Sequence, residues 1–134
     1  MCPTKTRNLL IAVVLVHFAI VMLHGSAHSR LHIDLAPAQT AYVFAVIVLA
    51  PLIAAGLLWT KFWRSGAYLL TVSMIGALVF GAYKHFFSAT NDDVSQMSHA
   101  GWGGFFLVSS ILLFVTESAA ILLGFRAVAR KNRA

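Results

Sequence analysis

Cysteine is nearly missing from this sequence: Cys2 is the single one in 134 residues. A disulfide framework, a CxxC redox relay and a closed thiolate zinc site are excluded with it. Charge is scarce as well, at 10% of the chain, where a soluble domain carries about a quarter. So few charges cannot wrap a water-soluble core, which excludes a soluble enzyme. Acidic residues are the scarcest, four against ten Lys and Arg, for a formal net charge of +6. No linker, repeat or low-complexity stretch is present, and no run alternates apolar with polar residues as a transmembrane barrel requires.

Hydrophobic residues fill the space instead, at 60% with a mean hydropathy of +0.84. They form four apolar runs, at about 8–28, 38–60, 66–87 and 101–125. Each is close to the ~20 residues that carry a helix across a ~30 Å hydrocarbon core. Helix is required because the backbone groups of such a run must be satisfied within it. The sequence therefore reads as an all-α integral membrane protein: one domain of four transmembrane helices in an up-down bundle. Pro51, in the middle of the second run, is expected to kink it and to free the carbonyl of Ile47. Trp59, Trp63, Tyr83 and Trp102 lie at run ends, as interfacial belt residues do.

The basic residues orient the bundle. Lys5, Arg7, Lys61, Arg64, Arg126, Arg130, Lys131 and Arg133 all fall on one side. The positive-inside rule makes that side cytoplasmic, with both termini inside a plasma or inner membrane. Clusters set between apolar runs are topology signals and no nucleic-acid patch, so the first partner is the lipid bilayer. Lys5, Arg7 and the later Gly25-Ser26-Ala27 also resemble a cleavable signal peptide. Its removal would leave three spans with ends on opposite sides, so the segment is read as a retained helix.

Six histidines are many for such a chain, and they are gathered. His24, His28 and His32 follow an i, i+4, i+8 spacing, and His17 lies seven residues before His24. At ~100° per residue the four share one narrow face if the helix continues to His32. His85 closes the third run at the same depth as His28, and His99 precedes the fourth run. His24, His28, His32, His85 and His99 thus converge near the outer rim, with Asp34, Asp92 and Asp93 close in sequence. Imidazole is the commonest transition-metal ligand, so Cu, Zn or Fe on His24, His28 and His85, with or without a carboxylate, is one expectation. Haem b, with its iron held between histidines of two helices, is the other. The bland alternative is that these histidines anchor helix ends at the headgroup level.

Glu117 lies well inside the fourth run, where a charge costs at least ~2.5 kcal/mol and calls for a partner. Gly103, Ser110, Glu117 and Gly124 recur every seven residues, a small and polar stripe suited to close helix packing. His17 lies at the depth of Glu117, and the first and last helices of a bundle are often neighbours. A His17–Glu117 pair is expected, as a proton site, a quinone contact or a structural tie. Lys84 is expected to snorkel to the outer interface.

Three functions remain. The first is a metal- or haem-binding subunit of a membrane redox complex. The second is a non-catalytic accessory subunit, with other membrane subunits or further copies as partners. The third is a small proton-coupled transporter using Glu117 and His17.

Overall fold

The structure, a computed structural model, describes residues 2–129. Among them the chain is helical, without strands. Four helices are long and apolar enough to cross a membrane: α1 (Thr4–Arg30), α2 (Pro37–Leu57), α3 (Trp63–Phe87) and α4 (Trp102–Ala129). A short 3-10 turn, Val94–Gln96, lies between α3 and α4.

Local chemistry sets where each helix stops. α1 ends in a Schellman turn: Ile33 N–H donates to His28 O at 3.0 Å and His32 N–H to Ser29 O at 3.4 Å. His32 occupies the left-handed position, φ 53°, where glycine is usual but histidine is tolerated. α2 stops at Leu57, short of Thr60, because Thr60 folds back: its hydroxyl donates to Leu57 O and accepts from Phe62 N–H.

Pro51 has its effect upstream. Residues Val43–Leu49 form a π-helical stretch, and Ala50 N–H donates to Ala45 O, five residues back. A proline leaves the regular ladder one donor short, and a wide turn is one way a helix redistributes such a defect. α3 ends in a second π stretch, Tyr83–Phe87.

Packing is unequal. α4 packs along α3 and α1, while α2 rests mainly on α3 and meets α1 chiefly through its second half. At the end that carries the chain terminus of α1, Leu10, Val14, Leu58, Leu70, Met74 and Ala120 form a closed apolar core. At the opposite end a smaller cluster joins Ala27, Val94 and Phe106. Glycine lets α3 and α4 approach closely: a side chain at Gly124 would run into Thr71 Oγ1.

The distribution of polarity is inverted relative to a soluble bundle. Leu15, Val72, Val79 and Val115 are exposed, whereas Thr71, Ser73, Ser110, Thr116 and Glu117 are buried. All four members of the seven-residue stripe, Gly103, Ser110, Glu117 and Gly124, face inward. Helices apolar all round with polar groups inside are stable in lipid, where the outer faces need not meet water.

Candidate metal centre

α1 and α3 finish at the same end of the bundle, and this brings His24, His28 and His85 together. One nitrogen from each ring lies within 4.8 Å of the others. Ring centroids are 4.9 Å apart for His24–His28 and His24–His85, and 6.0 Å for His28–His85. Phe106 of α4, fully buried, forms a floor 4.6 to 5.1 Å from all three rings.

The surroundings fix how each ring presents itself. Ser109 Oγ lies 2.9 Å from His24 Nδ1. That hydroxyl already donates to the carbonyls of Phe105 and Phe106, so it accepts from His24 Nδ1–H. The Schellman turn carries the carbonyl of Ile33 back over His28, where it accepts from Nδ1–H at 3.3 Å. His85 Nδ1–H donates to the backbone carbonyl of Asp92 at 3.2 Å. Each Nδ1 is thus committed as a donor, which leaves the Nε2 lone pairs available. His24 Nε2 is buried and has no hydrogen-bond partner among the described residues. A second nitrogen tied to a carbonyl or hydroxyl is how metal-ligating histidines are held.

Asp92 closes the cluster from the loop. Its Oδ1 lies 3.3 Å from His85 Nδ1 and 3.4 Å from His28 Nε2, without the alignment of a hydrogen bond to either. Its Oδ2 lies 3.8 Å from Lys84 Nζ. Burial alone would push this carboxyl up. The close approach and charge of His85, with the charges of His28 and Lys84, outweigh it and hold the group below the ordinary carboxylate range. With His28 Nδ1 donating to Ile33, His28 Nε2 and Asp92 Oδ1 face each other as two acceptors. A proton or metal ion between them makes that arrangement favourable.

Two histidines of the sequence reading stand apart. His32 is exposed, because α1 ends at Arg30 and the i+8 step that would keep it on the face of His24 and His28 no longer exists. His99 lies in the loop between α3 and α4, where Nε2 is 3.2 Å from Val94 O; it braces the loop and is not one of the clustered rings. Lys84 Nζ reaches the loop carboxylate of Asp92, and Asp93 caps the 3-10 turn through Ser95 N–H. Asp34 is exposed. Sequence reasoning did not single out Ser109 or Phe106, although a serine pair inside an apolar run was a usable signal.

Deeper in the bundle, His17 Nε2 and Glu117 Oε1 are 3.3 Å apart, both buried. Between this pair and the three rings lies a cavity of about 660 Å³, lined by His24, His28, His85, Asp92 and Glu117 among mainly apolar side chains. Comparison with known proteins yields no matching family model, no matching curated protein and no matching solved structure.

Proposed function

We propose that the chain is an integral membrane protein, a four-helix up-down bundle with both termini cytoplasmic, that holds a transition-metal ion at its outer end. His24, His28 and His85 are the nitrogen ligands and Asp92 supplies a carboxylate oxygen. The observation that carries the reading is the commitment of all three Nδ1 atoms with a buried, unpartnered Nε2 on His24. Leaving such an acceptor unsatisfied in an apolar interior costs about 1–3 kcal/mol, and a bound cation removes that cost.

Three imidazoles and one carboxylate without sulfur suit Zn, Cu(II) or Fe. The geometry favours a bare ion over haem b held between His28 and His85. His24 is equidistant, at 4.9 Å, from the ring of His28 and that of His85, so it lies on the plane midway between them. A porphyrin ligated by His28 and His85 would occupy that same plane. Cu or Fe at this site makes the chain an electron-carrying subunit of a membrane redox complex, and Zn makes it a clamp across α1, α3 and the loop. The transporter reading has less support, because an apolar core around Leu10, Leu58 and Leu70 lies at the end of the bundle opposite the histidine cluster.

Elemental analysis of the detergent-purified protein tests the proposal. About one Cu, Zn or Fe per chain is expected, falling to background in the His28→Ala, His85→Ala double variant. Metal-free wild-type protein that also fails to take up an added ion would overturn it.

A further inference from the structure

The cavity beside the three rings is larger than an ion needs. At about 660 Å³ it falls in the range of pockets that enclose a drug-sized organic molecule. Val43, Ile47, Ala77, Phe80, Leu113 and Phe114 make its walls apolar. Its buried and half-buried titratable groups gather at two poles, while the exposed Ser26, Ser29, Asp34 and Thr40 also line it. One pole is the imidazole cluster with Asp92, and the other is the Glu117 carboxylate. His17 engages Oε1 of Glu117, and Oε2 has no hydrogen bond among the described residues.

The way in faces sideways. Met22, Gly25 and Ser26 of α1 line the cavity, and all three are exposed. Across from them stand Val43 and Val48 of α2, the helix that leans on α3 and leaves a gap beside the outer half of α1. A side chain at Gly25 would meet nothing within 4 Å. In a bilayer the side of this mouth at Met22 and Gly25 faces lipid, which suits an uncharged, lipid-soluble entrant. It must also carry two polar groups, an oxygen for the cationic pole and a hydrogen-bonding group for Glu117. Ser110, level with the rings, and Glu117 are seven residues apart on α4, about 10 Å of helix. A para-dioxygenated ring with one contact at each end spans such a length, and its hydrocarbon tail leaves through the mouth.

We propose that this cavity binds a membrane quinone or its quinol, with one ring oxygen turned to the metal pole and the other to Glu117, which accepts from a quinol hydroxyl as the carboxylate and donates to a quinone carbonyl when protonated. The proposal rests on the metal reading above for one of its two contacts. It assigns the His17–Glu117 pair a ligand, with His17 as the positioning residue that holds the carboxylate.

The test uses the full chain in detergent micelles, its metal content measured first, titrated with a decyl-tailed benzoquinone and with the corresponding quinol. Saturable binding of one molecule per chain is expected. Gly81→Leu, at a position whose added Cβ meets only His85 Cδ2 at 3.9 Å, and Gly25→Phe at the mouth should each weaken it. Each is expected to do so by about tenfold or more, with the metal content unchanged in Gly25→Phe, whose site meets no metal ligand. Glu117→Leu should weaken quinol binding by about tenfold through loss of a charge-assisted hydrogen bond. No saturable binding, binding that both glycine variants leave unchanged, or a co-purified phospholipid that the quinone does not displace would each overturn the assignment. Failure of the metal reading is distinguishable: the ion is then absent at the outset, and quinone binding that still depends on Gly81 keeps the cavity site.

Discussion

Ser109 fixes the tautomer of His24. Its oxygen lies 2.9 Å from the carbonyls of Phe105 and Phe106, two acceptors that draw the hydroxyl hydrogen, and this favours the oxygen as acceptor from His24 Nδ1–H at 2.9 Å. The consequence is a histidine held rigidly with its Nε2 lone pair inside the protein and unpartnered. A contact between a helix-buried serine and a helix-buried histidine thereby prepares a ligand.

Ser109→Ala removes that constraint with little change in volume. The expected result is a loss of about 10- to 100-fold in metal affinity, the usual effect of deleting an outer-shell partner. Competition titration against a chelator of known affinity measures it, and circular dichroism confirms that the bundle is retained.

Asp92→Asn keeps the shape of the loop residue and removes its charge. If the carboxylate is the fourth ligand, affinity for a divalent ion falls by more than in His99→Ala, which only loosens the loop brace to Val94. Equal losses in the two variants would reduce Asp92 to a structural role.

The helices were legible because each is a run of about 20 apolar residues, the length and composition of a membrane-crossing helix. The pairing of His17 with Glu117 was legible by counting residues from the run ends, since a straight helix converts residue number into depth. What the sequence hid was decided by hydrogen bonds outside the regular ladders. Nothing in the periodicity of α1 announces that His32 adopts φ 53° and leaves the row. Nor does it announce that Ile33 folds back over His28 as a result. Asp92, Asp93 and Asp34 were equal candidates until the loop between α3 and α4 had a path. Its π turn at Tyr83–Phe87 and the cap by Asp93 put Asp92 against the rings.

The His17–Glu117 contact is open to a double-mutant cycle with His17→Ala and Glu117→Ala. A coupling of about 0.5–2 kcal/mol is expected, in line with polar side-chain pairs between membrane helices. Denaturation of the four proteins in mixed micelles gives the number, and additivity of the two single effects would show that the contact contributes nothing.

Two glycines should respond to alanine with opposite signs. At Gly66 an added Cβ would come 2.9 Å from both Ala54 O and Leu57 Cβ. The crowding displaces backbone, so Gly66→Ala is expected to destabilise by about 1–3 kcal/mol. At Gly56 nothing lies within 4 Å, and Gly56→Ala should be neutral or stabilising by up to about 1 kcal/mol through helix propensity. The same micelle denaturation distinguishes them.

Three imidazoles from α1 and α3 are proposed to hold one ion. X-ray absorption at the metal edge of the purified protein, carrying its own ion or one added equivalent, tests this most directly. The account predicts a first shell of nitrogen and oxygen with outer-shell scattering from three imidazole rings, at about 2.0–2.1 Å if the ion is Zn. A shell of oxygens without imidazole scattering, or an ion that dialysis removes completely, would contradict it.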